Sequence, residues 1–446
     1  MMAGNVSARN LALLTAVAAP LASLSLTLTT ILPQEFTRNH GVTLAQAGFA
    51  FMVIRLADIA IDPWLGGLMD RTQARLGRYK IWILAGALPL IAGVLLCFFP
   101  PDRVSVLYLV VALATAYLGF SIMALSHLAL CAAQTDDYIE RGKVFAWWQA
   151  YTTAGLLAAI FLPKVLDGTF GLGMIRWMGI TIIGLIVVAT LVTVFLSSAT
   201  PAKAPGTHGG MKAYLALFSL PATRRVMAAE LLLGLSAGIA AATGIIFMTT
   251  VKHFTIGDFG SQISVYFLVA ILSAPAWAWI AKRMEKHRAL MLGAVCYALG
   301  QLMFLMVPPG NLLFLLIMPA VFGGFSYTAT SMLPRAMVAD VADEERLLHG
   351  SDRTALLYAL LTGIFKLGHA LSVGIAFLAL DAFGYVPALG AGNTSGALTG
   401  VAIVYGGLPI LCALVALCTM IGYPLTGKRH AEIRAGLAER EVVAGC

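Results

Sequence analysis

Arg55, Asp58 and Asp62 fall within one apolar run, and their spacing puts all three on one side of a helix. At about 100° per residue, Asp58 lies about 300° round from Arg55, and Asp62 returns to within about 20° of it. Ionisable groups in such a run are costly to keep from water, and they mark ion paths, bound solutes or counter-charges. Two acids beside one base leave a deficit of positive charge, which a cation, a proton or a base from elsewhere supplies. The alternative is a buried cluster that only ties helices together, and that reading does not need the deficit. Lys366 is a candidate second base. It stands about 13 residues into its own apolar run, too deep to snorkel easily. Gly363 and Gly368 flank it and permit close approach of another helix.

These residues need long apolar elements to hold them. Of 446 residues, 60% are hydrophobic and 11% are Asp, Glu, Lys or Arg. A soluble chain is nearer a quarter charged, so a soluble enzyme, a disordered chain and a single-span receptor with an ectodomain are excluded. Runs long enough to cross a ~30 Å core lie near 11–32, 43–69, 81–100, 104–131, 144–166 and 173–197. Six more lie near 223–250, 260–282, 288–308, 311–338, 353–381 and 397–424. The reading is an all-α integral membrane protein with bundles at 1–200 and 223–427, a cytoplasmic linker at 201–222 and a tail at 428–446. The first run lacks a cleavage site and reads as a helix, not a removed signal. No residue-level repeat between the halves is visible.

Charge sets the expected orientation. Of 29 Lys and Arg, 22 fall on the side shared by both termini, five on the other and two inside spans. That bias predicts cytoplasmic termini. The net charge of +8 therefore reads as topology, and nucleic acid is not an expected partner. The six cysteines lack metal-ligand spacing and read as small buried hydrophobes. His127 and His369 read as packing residues, and Glu230 as a side chain that snorkels or pairs near Arg225.

The stretch Arg55-Leu-Ala-Asp58-Ile-Ala-Ile-Asp62-Pro63-Trp-Leu-Gly66, followed by Asp70-Arg-Thr-Gln-Ala-Arg75-Leu-Gly77-Arg78-Tyr-Lys80-Ile-Trp82, carries a family likeness. So do Asp136-Asp-Tyr138-Ile-Glu140-Arg141 and Met337-Val-Ala-Asp340-Val-Ala-Asp343 through Gly350, Arg353, Tyr358 and Phe365-Lys366-Leu-Gly368. Together they resemble the glycoside–pentoside–hexuronide:cation symporter family of the major facilitator superfamily. The resemblance implies twelve transmembrane helices in two six-helix bundles and symport of a small organic solute with Na⁺ or H⁺ by alternating access. It implies no other cofactor, a lipid bilayer as surroundings, a bacterial inner membrane as location and a monomer as the working unit.

By the same resemblance Asp58, Asp62 and Ser121 match the cation site, and Arg55 and Lys366 match its charge partners. Asp70, Arg71, Arg75, Arg78, Arg141, Asp340, Asp343 and Arg353 read as a cytoplasmic gate, with Asp340 and Asp343 meeting the loop arginines. The substrate side departs from the pattern. Ala124 and Ala22 stand where sugar-carrying members have acids, and Gln149 stands where they have an arginine. Phe120, Trp147, Trp148, Gln149 and Lys366 remain as candidate substrate contacts. A lysolipid or other amphiphile is the alternative solute, and a non-transporting sensor the alternative class. No enzyme motif is present.

Overall fold

A backbone in hydrocarbon must satisfy its own N–H and C=O groups, and a single apolar run does so only as a helix. The computed structural model describes residues 7–72, 74–134, 138–198, 217–349 and 353–444. Among these, twelve helices are long and apolar enough to cross a membrane, and there is no strand. They are α1 (Ala8–Asn39), α2 (Leu44–Met69), α3 (Arg78–Phe98), α4 (Val106–Cys131), α5 (Trp147–Gly168) and α6 (Met174–Leu196). The rest are α7 (Pro221–Val251), α8 (Ile256–Met284), α9 (Lys286–Met306), α10 (Leu312–Leu348), α11 (Leu356–Gly392) and α12 (Ser395–Met420). The chain divides into two compact units, Met1–Gly206 and Thr207–Cys446, with six of these helices in each. Residues 199–216, most of the expected linker, lie outside the described residues.

Small residues set the packing of the first unit. A Cβ on Gly119 of α4 would lie 2.3 Å from the Leu90 nitrogen of α3, and one on Gly93 would lie 2.4 Å from Ala116. The α3–α4 pair is thus in backbone contact, which a larger side chain forbids. Gly155 of α5 meets the Ala19 carbonyl of α1 in the same way, and the Ser23 hydroxyl donates to the Gly155 carbonyl at 2.6 Å. Buried Lys80 of α3 donates to the carbonyls of Val194 (3.1 Å) and Ser197 (2.6 Å), satisfying the last turn of α6.

The second unit uses the same device. Gly368 of α11 sits against the backbone of Leu231, Gly234 and Leu235 in α7, as its small-residue setting predicts. Gly363, by contrast, faces open space. Gly324 of α10 lies on the Tyr266 carbonyl of α8, and Trp277 of α8 donates its indole N–H to the Phe325 carbonyl of α10 at 2.7 Å. Beyond α12, the stretch Gly427–Ala444 forms a further helix, α13. Its Ile433 and Leu437 are buried in the unit's apolar cluster, and its Gly436 packs on Leu347.

Among the described residues four helices contain a π-turn: α1 at Thr27–Ile31, α6 at Val192–Leu196, α7 at Phe247–Val251 and α12 at Ile403–Gly407.

Candidate cation site

Asp58, Leu65 and Met69 recur at steps of seven and four along α2, which keeps them on one stripe. Leu65 and Met69 are buried against Ile122 of α4, with Trp82 and Leu125 packed around them. That apolar contact fixes the rotation of α2 and turns Asp58 toward α4. Asp58 is 7% and Ser121 1% exposed, and the Ser121 hydroxyl donates to Asp58 Oδ1 at 2.5 Å. The length suits a hydroxyl bound to a carboxylate. Ser121 is in turn held by the α3–α4 contact at Gly119, two residues earlier.

Asp62 lies one turn beyond Asp58 on α2 and is half-buried. Pro63 follows it inside the helix. Proline has no N–H, so the Ile59 carbonyl one turn back loses its usual partner. Neighbouring turns of α2 therefore offer two carboxylates and a backbone carbonyl, and α4 adds a hydroxyl at Asp58, all hard oxygen donors suited to Na⁺, while a carboxylate also takes a proton. No cluster of three or more metal-holding His, Cys, Asp or Glu occurs among the described residues.

Arg55 lies half-buried one turn before Asp58, with its guanidinium 4.8 Å from the centre of the buried Tyr117 ring. Tyr117 escapes the sequence reading, although it precedes Ser121 by four residues and so shares its face of α4. The stacked arginine supplies positive charge beside the acids without withdrawing it into water. Lys366 is half-buried on α11 in the second unit, two residues before the Gly368 contact.

The substrate candidates are less tightly drawn together. Phe120 is half-buried on α4, next to Ser121. Trp147 and Gln149 are exposed at the start of α5, and Trp148 is half-buried. Trp147 lies 6.5 Å from the Tyr151 ring, and no ring contact joins Phe120 to either tryptophan among the described residues. Ala22 and Ala124 are both partly exposed.

The gate residues separate into two groups. The side chains of Asp70, Arg71 and Arg141 lie outside the described residues, as do Asp136 and Asp137 of the α4–α5 block. Arg75 is exposed and Arg78 begins α3. The other acids take partners that the sequence reading does not name. Lys286 of α9 reaches both Asp340 oxygens at 2.6 and 2.7 Å. His430 of α13 lies 3.0 Å from Asp343 and 3.5 Å from Asp340, and Arg434 lies 3.8 Å from Asp343. Arg353 pairs instead with buried Glu345 at 2.8 Å. Within the second unit, Asp340 and Asp343 thus meet α9 and α13, and α13 docks against α10.

A family model described as "MFS/sugar transport protein" matches residues 15–427. The chain belongs to that family. This MFS family member is 26% identical over 436 residues to an uncharacterized symporter, YnaJ, of Bacillus subtilis, covering 94% of this chain and 92% of that one. It is 23% identical to a putative glycoside/cation symporter, YagG, of Escherichia coli, covering 93% and 91%. Over 184 residues it is 27% identical to sodium-dependent lysophosphatidylcholine symporter 1 of Gallus gallus, covering 41% of this chain and 34% of that one. The solved structure of the nucleoside transporter NupG shares the fold, with a TM-score of 0.68, 15% identity and coverage of 94% and 100%. The chain is a multi-pass plasma-membrane protein and a cation-coupled symporter, as the α2 motif implies.

Proposed function

We propose that a monovalent cation, Na⁺ or H⁺, binds at Asp58, Asp62 and Ser121 and drives alternating-access uptake of a sugar, glycoside or related solute. The observation that carries this reading is the buried Ser121–Asp58 hydrogen bond, which supports a hydroxyl and a carboxylate acting as one ligand set. Arg55, stacked on Tyr117, sets the charge balance when the site empties. Lys366 supplies the second base, and Phe120, Trp147, Trp148 and Gln149 supply the substrate surface. Asp70, Arg71, Arg75, Arg78, Arg141, Asp340, Asp343 and Arg353 belong to the cytoplasmic gate, and both termini face the cytoplasm of a bacterial inner membrane. The carrier works as a monomer, without nucleic acid and without catalytic chemistry.

A second reading, an amphiphile such as a lysolipid, is supported by Ala22 and Ala124 and by the similarity to a lysophosphatidylcholine symporter. Without acids to grip hydroxyls, a polyhydroxylated ligand leaves polar groups unpaired at about 1–3 kcal/mol each. Proteoliposomes given a Na⁺ gradient or a pH step, with labelled glycosides and lysolipids, test both readings. Accumulation under one of the two gradients, lost in Asp58→Asn and Asp62→Asn, is expected. Gradient-independent uptake would overturn symport through this site, and robust α-galactoside accumulation would overturn the role given to the two alanines.

A further inference from the structure

Arg55 and Tyr117 form a rung between α2 and α4 beside the Ser121–Asp58 hydrogen bond. One turn before that bond on each helix, the Arg55 guanidinium lies 4.8 Å from the centre of the Tyr117 ring. Tyr117 is 2% exposed. Its neighbour Ala116 is the residue that a Cβ on Gly93 would meet at 2.4 Å, and Gly119, two residues on, lies against the Leu90 backbone. The ring is therefore mounted on a stretch of α4 that cannot shift without opening the α3–α4 contact.

Three residues apart on one helix, Arg55 and Asp58 stand about 4.5 Å apart along its axis. That is the spacing at which a basic and an acidic side chain pair on a helix surface. A guanidinium so paired acts as a built-in cation, and a soluble cation must displace it to use the carboxylate. The charge cannot simply be deleted, because it offsets the two acids when no cation is bound. An aromatic face meets both needs. It attracts the guanidinium through the ring quadrupole and keeps the charge close to the acids while occupying neither of them. The attraction belongs to the ring and not to the hydroxyl.

We propose that Tyr117 is a positioning residue that sets the cation affinity of the Asp58 site by holding Arg55 on its ring and off the carboxylate. The role rests on Asp58, Asp62 and Ser121 binding the cation, and it runs through Arg55.

Stabilisation of the purified protein against thermal unfolding, by NaCl at fixed pH or by acidification without Na⁺, reads the site. The part of the response that vanishes in Asp58→Asn belongs to it. Tyr117→Leu removes the ring, and the cation concentration for half-maximal stabilisation should rise about tenfold. Tyr117→Phe keeps the ring and should stay within about twofold of wild type. In an Arg55→Gln background Tyr117→Leu should have no effect, because the rival charge is gone. Equal weakening in both backgrounds marks a packing defect and overturns the proposal, as does wild-type affinity in Tyr117→Leu or a loss in Tyr117→Phe as large as in Tyr117→Leu. Arg55→Lys keeps the charge and the tyrosine but loses the planar stack, so it remains informative if Tyr117→Leu fails to fold. Weaker cation binding is expected there, and unchanged binding overturns the parking of Arg55. If no part of the wild-type response vanishes in Asp58→Asn, the cation site itself fails and takes this role with it.

Discussion

The first two helices of each unit begin alike. α1 carries a π-turn with Thr29 and Thr30, and α7 carries one with Thr249 and Thr250. After each, a threonine capping box starts the next helix: Thr43 with Gln46 before α2, and Thr255 with Asp258 before α8. The last spans match too, with π-turns in α6 and α12. Internal repeats of this kind are common in transporters. Beyond the caps the units part. α2 holds Arg55, Asp58 and Asp62 in mid-span, whereas α8 carries no Asp, Glu, Lys, Arg or His between Asp258 and Lys282. Counted from the caps, Ala270 and Ala274 stand in α8 at the places of the two α2 acids, and Phe267 at that of Arg55; Phe267 and its neighbour Tyr266 meet Tyr327 of α10 at ring distances of 5.7 Å. A shared scaffold has kept its backbone devices and divided its chemistry, with the acid pair in one unit and the aromatic cluster in the other.

The largest expected effect tests the scaffold. Gly119→Val drives side-chain carbon into the Leu90 backbone, whereas Gly363→Val enters open space. Gly119→Val should abolish recovery of monodisperse protein on size exclusion, and Gly363→Val should leave it near wild type. Equal recovery of the two would break the packing argument.

Next comes the division of charge. Asp58→Asn should weaken cation binding by about 10–150-fold, from loss of charge-assisted interactions worth about 1.5–3 kcal/mol, and abolish gradient-driven accumulation. Asp258→Asn, on the helix that corresponds to α2, keeps a capping residue and should leave coupling intact. Cation titrations of uptake in the two variants measure the contrast, and a matched loss in both would erase it.

A smaller effect sharpens the site. Ser121→Ala removes a hydroxyl but neither charge, and should raise the cation concentration for half-maximal uptake about tenfold. An unchanged value would remove Ser121 from the ligand set.

The smallest concerns α13. Asp343→Asn cuts the contacts to His430 and Arg434, partly exposed pairs worth about 0–1 kcal/mol. Thermal unfolding should shift by no more than a few degrees, and a collapse of the melting temperature would mean the contact carries far more of the unit's stability.

The spans were legible because membrane-crossing length and apolar content are local properties, and each predicted run has its helix. Asp58 was legible for the same reason, since an acid amid twenty apolar residues declares its cost. Its bond to Ser121 follows the family likeness and, in the fold, the Leu65–Met69–Ile122 contact. The partners of Asp340 were not legible, because Lys286 and His430 come from helices 54 residues before and 90 after it in the chain. Ile433 and Leu437, four residues apart among charged ones, were the available sign that α13 docks. Glu230 is 3% exposed and Arg225 turns to the Ile421 carbonyl, since proximity in sequence says nothing of where an arginine points.

The π-turn in α1 holds one residue more than an ordinary turn. Everything after Ile31 is therefore rotated by about 100° from the phase of an uninterrupted helix. The two ends of α1 belong to different helical wheels: Ala19 and Ser23 keep the phase that grips α5, while Phe36 and Thr37 follow another. Thr29 and Thr30 spend their surplus backbone where a helix has room to lose a residue. A one-residue deletion there would turn π back into α and re-aim the Leu32–Asn39 end of the span.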